Sequence, residues 1–325
     1  MEIGPYEFEH ALILAPMAGI SDRPFRSLCR SFGADYAITE MVSTKPHLWN
    51  TNKTRKRLDL AGESRPRVVQ IAGAETGVMA AAARRCEALG ADIIDVNMGC
   101  PAKKVCNKSA GSALMRDEAL VRQILTAVCQ AVSIPVSLKM RTGWDTEHRN
   151  GPIIAKIAQD CGVSAITVHG RTRACAFRGA AEYDTIATIK AQLVIPVIAN
   201  GDIRTPEDAI AVLKLTAADG LMVGRAAQGD PWLFERIKAA LVGKSVSPPT
   251  RRERLDLMHA HLNSLHGHYA KIAGVRIARK HVGWYLDAFP AARALRADFN
   301  RIDDPRAQLE YVESLNETSM LDRAA

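Results

Sequence analysis

The chain has 325 residues, 47% hydrophobic and 24% charged, enough for one domain of roughly 250 residues with a smaller one beside it. No basic leader precedes the first apolar run, Ala11 to Pro16, which is too short for a signal peptide or a membrane span, so a soluble, cytoplasmic protein without membrane association is expected. The seven cysteines (29, 86, 100, 106, 129, 161 and 175) contain no Cys-x-x-Cys pair, which argues against a disulfide scaffold and against a metal site, while the net charge of +8 permits a polyanionic partner without demanding one.

In chain order, eight short apolar runs bounded by turn signals read as strands: Leu12–Pro16, Asp35–Thr39, Arg67–Ile71, Asp92–Val96, Pro135–Met140, Ser164–Val168, Val194–Ala199 and Asp219–Val223. Nearly continuous hydrophobic runs suit parallel strands covered on both faces by helices. Eight of them, alternating with amphipathic stretches, predict an α/β fold, a (β/α)8 TIM barrel. An internal repeat supports the count. Gly33-Ala34-Asp35, Gly90-Ala91-Asp92 and Gly162-Val163-Ser164 each place a helix-ending glycine before an even strand, and Ala217-Ala218-Asp219 resembles them before the eighth.

Aligning the repeats brings Gln70, Lys139 and Asn200 together at the ends of odd strands, and Glu40, Asn97, His169 and Gly224 at the ends of even ones. Active sites of such barrels lie at the C-terminal ends of the strands, so one mouth is lined with donors, acceptors and a cation. Past a helix near Trp232 to Leu241, the stretch Gly243-Lys-Ser-Val-Ser-Pro-Pro-Thr250 reads as a linker. The expected division is a catalytic barrel over 1–243 and a small all-helical domain over 244–325 that leans on it. From Arg251 to Arg301 there are ten basic and four acidic residues, whereas 303–325 hold two basic and six acidic. The former segment therefore suits RNA and the latter does not.

Several segments carry chemistry. The loop Asn97-Met-Gly-Cys100-Pro-Ala-Lys-Lys-Val-Cys106-Asn-Lys108 holds Cys100 between glycine and proline, a turn rather than a core position, where a thiol can donate a proton or act as a nucleophile. Its lysines 103, 104 and 108 suit an anionic substrate crossing the mouth. Lys139, with Arg141 on the same side of the strand, would stabilise negative charge on a reduced cofactor ring. Asn200-Gly201-Asp202 and Gly224-Arg225 follow the seventh and eighth strands, where barrels commonly bind a phosphate. On a helix containing Lys271 to Tyr285, Arg276 and Lys280 stand at i and i+4 with Arg279 beside them, a cationic face, while Trp284 and Tyr285 could stack on a base but are expected rather to pack against the barrel.

Together these segments resemble one family, the tRNA-dihydrouridine synthases, and within it the bacterial B type. The likeness spans nearly the whole chain. Its carriers are Ala15-Pro-Met-Ala-Gly-Ile-Ser-Asp22, Thr39-Glu-Met41, Asp95-Val-Asn-Met-Gly-Cys-Pro101, Lys139-Met-Arg-Thr-Gly-Trp144, His169-Gly-Arg-Thr-Arg173, Asn200-Gly-Asp202 and Arg279-Lys-His281. The Asn-x-Gly-Cys-Pro segment is the specific one.

The resemblance implies FMN as cofactor, NADPH (or NADH) as reductant, and reduction of the C5–C6 double bond of a D-loop uridine in tRNA, at position 17, by a monomeric enzyme. It implies flavin contacts from Pro16, Met17, Ala18, Gln70, Lys139, His169, Asn200, Gly201, Asp202, Gly224 and Arg225, a base contact from Asn97, and Cys100 as general acid. On the RNA side the expected contacts are Lys103, Lys104, Arg141, Arg171, Arg173, Arg276, Arg279 and Lys280. Two other readings stand beside it: a small-molecule flavin oxidoreductase of the dihydroorotate dehydrogenase type, which has little use for the basic C-terminal domain, and a non-catalytic RNA-binding barrel, which has no use for Asn97, Cys100 and Lys139 together.

Overall fold

The computed structural model describes residues 1–107 and 109–317. Its barrel strands are β1 (Ala11–Leu14), β2 in two short pieces (Tyr36–Ala37 and Val42–Ser43), β3 (Val68–Ala72), β4 (Ile93–Met98), β5 (Val136–Arg141), β6 (Ala165–His169), β7 (Val197–Asn200) and β8 (Gly220–Val223). The strands pair side by side and parallel in the order β2–β1–β8–β7–β6–β5–β4–β3–β2, so both edges of the sheet are pieces of one strand. A bridge from Ile38 to Val68 closes the ring. Each strand is followed by a helix: α1 (Arg23–Ser31), α2 (Asn52–Arg57), α3 (Thr76–Ala88), α4 (Glu118–Ala131), α5 (Gly151–Asp160), α6 (Asp184–Gln192), α7 (Pro206–Thr216) and α8 (Leu233–Leu241). This is the TIM barrel that the eight apolar runs predict.

All the strands but β1, which begins one residue early at Ala11, begin slightly later than the apolar runs. Val194, expected in the seventh strand, is 90% exposed in the turn before Val197. The even-strand repeat has a physical cause. Asp35 accepts the backbone N–H of Leu12, Asp92 that of Arg67 and Asp219 that of Val197, each at 2.8 Å, so every one of these carboxylates ties the start of the neighbouring odd strand. Gly33, Gly90 and Gly162 take the left-handed conformation that ends each preceding helix, and Ala217 adopts it at φ 51° without the benefit of a glycine. An N-terminal hairpin (Glu2–Ile3 and Tyr6–Glu7) went unpredicted, although Gly4-Pro5 is a turn signal. Its Ile3 is fully buried and stoppers the barrel among Ala11, Ile13, Val68 and Ile93.

Alternation along each strand separates two cores. Outward residues such as Leu12, Leu14, Val69, Ile94 and Val96 pack beneath the helices, whereas inward ones fill the lumen. Towards the C-terminal ends the inward column turns polar: Ile93, Asp95 and Asn97 on β4, Ala165, Thr167 and His169 on β6. The apolar layer makes the barrel floor, and the polar layer above it lines the mouth.

Residues 244–250 carry neither helix nor strand. A Thr250–Glu253 capping box then starts α9 (Arg251–His268), followed by α10 (Lys271–Leu286), α11 (Ala292–Arg301) and α12 (Pro305–Glu317). Their apolar faces meet around Leu255, Met258, Leu262, Val282, Tyr285 and Phe299, and the same cluster takes in Trp232 and Phe32 from the barrel. Among the described residues no helix is long and apolar enough to cross a membrane.

Candidate active site

A cleft of about 1050 Å³ opens at the C-terminal ends of the strands. The loop after β1 contributes Pro16, Met17 and Ala18 to it, β3 Gln70, β4 and its loop Asn97 and Cys100, and β5 Lys139 and Arg141. His169, Asn200, Asp202, Gly224 and Arg225 line the remaining arc. Gly201 lies directly behind this wall. At φ 126° a Cβ there would stand 2.9 Å from Ala181 Cβ and 3.0 Å from His169 Cδ2, so only glycine lets the β7 turn press against the imidazole.

The mouth is electropositive. Lys139 donates from Nζ to Asn200 Oδ1 at 2.9 Å, and Asn200 Nδ2 donates to Met222 O at 2.7 Å, which fixes the asparagine's orientation. Burial, aided by Arg141 and opposed by Asp95, pushes the Lys139 amine down to about 8. His169 is held neutral by burial first and then by Lys139, Arg141, Arg171 and Arg225 around it. Asp202 accepts from Arg171 at 2.6 Å and from the Ala181 N–H at 2.8 Å, with Arg204 and Arg225 at 3.4 and 3.6 Å. That carboxylate anchors the arginines at the edge of the cleft.

Cys100 sits in a turn gripped from two sides. Asn97 Oδ1 accepts the Gly99 and Cys100 N–H groups at 3.3 and 3.1 Å, and Ser112 Oγ donates to Cys100 O at 2.9 Å. Gly111 permits the close approach, since a Cβ there would lie 2.8 Å from Cys100 O. Burial pushes the Cys100 thiol up, so at neutral pH it keeps its proton. Cys106 packs behind the turn, its Sγ 3.5 Å from Cys100 O.

Several residues expected to face RNA are otherwise engaged. Arg141 is 1% exposed and donates to the carbonyls of Gly99, Thr172 and Ala176, pinning the β4 and β6 loops together. Arg171 is 3% exposed and spends its guanidinium on Asp202 and the Gly179 carbonyl. Arg173 lies 4.5 Å over the Trp144 ring. Arg279 pairs with Asp303, and Lys280 donates to the Gly19 carbonyl in the loop after β1. Lys103, Lys104, Arg276 and, despite its bond to Gly19, Lys280 are exposed, and Lys108 lies outside the described residues.

Two aromatic residues reach the cleft, one of which, Phe177, is not singled out in the sequence. Phe177, 54% exposed in the loop after β6, lies beneath the guanidinium groups of Arg141 and Arg225. Trp284 of α10 is half-buried where the C-terminal helices meet the barrel and also lines the cleft, whereas Tyr285 is buried as expected. The route for Trp284 is Gly229, where any Cβ would collide with the α10 backbone.

A family profile described as Dihydrouridine synthase (Dus) matches residues 13–322. The tRNA-dihydrouridine synthase B of Pseudomonas syringae pv. tomato is 55% identical over 313 residues, covering 96% of this chain and 93% of its own. The protein of the same name from Xanthomonas axonopodis pv. citri is 56% identical over 310 residues (95% and 93%), and that of Shewanella oneidensis is 52% identical over 314 (96% and 97%). Among solved structures, 6-hydroxypseudooxynicotine amine oxidase from Pseudomonas geniculata N1 superposes with a TM-score of 0.56 at 16% identity, over 74% of this chain and 49% of that one. Histamine dehydrogenase from Rhizobium sp. 4-9 gives 0.55 at 12%, over 74% and 47%. At those identities the likeness is one of fold.

Proposed function

The chain belongs to the dihydrouridine synthase family, and on that premise we propose that it reduces uridine in tRNA to 5,6-dihydrouridine, with FMN as cofactor and NADPH as reductant. The observation that carries this reading is the convergence of a protonated Cys100, the Asn97 amide and the Lys139 ammonium on one cleft. Its volume, about 1050 Å³, stands at the top of the usual range for ligand sites, about 300 to 1000 Å³.

The residues present fit a flavin mononucleotide. Arg204 and Arg225 offer cations to a phosphate, and Asp202 Oδ1 is buried without a hydrogen bond, open to a hydroxyl. Gln70 and Lys139 would hold the polar edge of the ring, Met17 and Ala18 its flank, and His169, as a neutral imidazole, would accept or donate without adding charge. When bound and reduced, the flavin supplies the hydride that adds to C6 of the uracil. That addition leaves enolate-like charge on the base, which Cys100 Sγ quenches by protonating C5. The uridine must leave its stack to reach the cleft, and Asn97 would meet it there.

The purified protein is therefore expected to be yellow and to release FMN, identified by chromatography of the heat-extracted cofactor. Recovery of FAD, or of protein that takes up no flavin on reconstitution, would overturn the assignment. Mapping dihydrouridine by mass spectrometry in tRNA from a deletion strain, with and without this gene, tests the activity and the D-loop position, which we take to be 17.

We further propose that 244–325 serve as the RNA-binding unit beside a catalytic 1–243, supported by the structureless segment 244–250. Exposed Lys103, Lys104 and Arg276 should supply the phosphate contacts, each contributing a slope of about one in log K against log salt. Replacing all three by Ala should lower the slope of tRNA binding by about two to three units. The Arg279→Ala change, removing a cation already paired with Asp303, should leave that slope nearly unchanged.

A further inference from the structure

Beneath the mouth lies a hydrogen-bonded chain that begins on the lumen's middle layer and ends at the Cys100 turn. Asp95 is fully buried on β4. Its Oδ1 accepts from Ser137 Oγ at 2.7 Å and its Oδ2 from Gln70 Nε2 at 2.6 Å. Gln70 Oε1 in turn accepts from Asn97 Nδ2 at 2.7 Å, and Asn97 Oδ1 accepts the Gly99 and Cys100 N–H groups.

The chain has a direction, and its source is Asp95. A side-chain amide presents an oxygen at one end and an NH2 at the other, and turning it over exchanges an acceptor for two donors. A carboxylate can only accept, so Gln70 must offer it the NH2 and turn its oxygen to Asn97. Asn97 must then offer its own NH2 to Gln70, which leaves its oxygen for the two backbone N–H groups of the turn. Were Gln70 inverted, Asn97 would aim its NH2 at those N–H groups, donor against donor, and the turn would lose both bonds. In a buried layer each donor left unpaired forfeits its solvation without a compensating bond, and the turn is driven to shift.

We infer that Asp95 is a positioning residue, setting the amide orientations of Gln70 and Asn97 and, through them, the turn that presents Cys100. The inference rests on the proposed activity for its catalytic consequence, but the mechanical part concerns this chain alone. Removing the acceptor while keeping the branched outline of the side chain, as in Asp95→Leu, lets Gln70 adopt either orientation. Asp95→Asn is the conservative rescue: its amide oxygen can accept from Gln70 while its NH2 donates to Ser137 Oγ, which preserves the direction of the chain without the charge.

The test reads Cys100 directly, by site-resolved alkylation with iodoacetamide followed by mass spectrometry, with the half-buried Cys161, at the C-terminal end of α5 and away from the mouth, as an internal reference. In Asp95→Leu the Cys100 alkylation rate should change at least about threefold against Cys161, and in Asp95→Asn it should return to the wild-type ratio. If the leucine variant does not fold, Gln70→Leu breaks the chain one link higher and should show the same change. Dihydrouridine formation at saturating tRNA should fall about 100-fold in Asp95→Leu and recover to within about tenfold in Asp95→Asn, following the cost of misplacing a catalytic group. An unchanged Cys100 ratio in the leucine variants overturns the inference, as does an asparagine variant that behaves like leucine, which would make the charge rather than the direction decisive. Wild-type protein that forms no dihydrouridine while the alkylation pattern holds would instead refute the activity and leave the positioning role standing.

Discussion

Cys100→Ala should lower dihydrouridine formation at saturating tRNA by about 100- to 10,000-fold, the usual contribution of a positioned general acid, or about 3–5 kcal/mol of barrel-top chemistry. The expectation follows from the state of the thiol. Desolvation raises its pKa, with Arg141 and Lys104 too weak to reverse the shift, so the sulfur carries a proton at neutral pH and is suited to donation rather than to attack. Flavin content and NADPH oxidation should be spared, because the role proposed for Cys100 is confined to the half-reaction with RNA. Cys106→Ala should remain within a few-fold of wild type: the Cys106 sulfur only braces the Cys100 carbonyl, which Ser112 Oγ already holds at 2.9 Å. Stopped-flow oxidation of the reduced enzyme by tRNA, with product counted by mass spectrometry, separates the two half-reactions. Near-normal product from Cys100→Ala would remove the thiol from the mechanism and leave water or Lys139 as the proton source.

Much of this site was legible because its information is local. The Asn97-to-Pro101 turn announces itself by the glycine and proline around Cys100, and the polar residues at strand ends fall out of an eightfold repeat. The aspartates before the even strands also belong to that repeat, yet their role, tying the neighbouring strand, depends on pairing that no single segment contains. β2 was read as one strand, whereas it divides around Thr39 and Glu40, where Glu40 leaves the ladder to accept the Gly19 N–H and to pair with Arg57. The basic face of α10 is legible in the sequence but its partners are not. Charge at i and i+4 says that one face is cationic, and Arg276 and Lys280 are indeed exposed, yet Lys280 also donates to the Gly19 carbonyl in the loop after β1 and Arg279 pairs with Asp303, contacts that no single segment contains. Phe177 is not marked by any sequence signal, and Trp284 is marked only as an aromatic on a basic helix, since a loop tip and the C-terminal helices reach the cleft only through tertiary docking.

The joint that carries Trp284 to the cleft should make the protein acid-sensitive. His261 of α9 and His281 of α10 lie with ring centroids 4.8 Å apart, and Phe25 of α1 contacts both, at 5.8 and 5.4 Å. His261 Nδ1 meets Tyr285 OH at 3.1 Å, while the Nε2 atoms of both histidines have no hydrogen-bond partner. Burial drives His261 down to about 3 and His281 well below its ordinary value, His261 and Lys280 adding to the latter. Both folded-state values are depressed, so the neutral forms stabilise the fold fully above the unfolded value of about 6.5. As the pH falls below it, the unfolded chain takes up two protons that the folded one refuses, and the pair loses about 4 kcal/mol of stability by pH 5. His169 and His268, also depressed by burial, act with the same sign. Asp22 and Asp95, both raised to about 6 by burial, act with the opposite sign, since protonation at low pH relieves them. The pair is therefore isolated by difference, comparing urea unfolding of wild type with a His261→Gln, His281→Leu double variant at pH 7.5 and pH 5. The variant should start less stable at pH 7.5, having lost packing against Phe25, and should lose about 4 kcal/mol less than wild type on acidification. Equal losses in the two proteins would mean that these rings are already hydrated or protonated in the folded state. Because they join α1 to α9 and α10, the acid-weakened contact should also show first as faster hydrogen exchange in those three helices, ahead of the barrel strands.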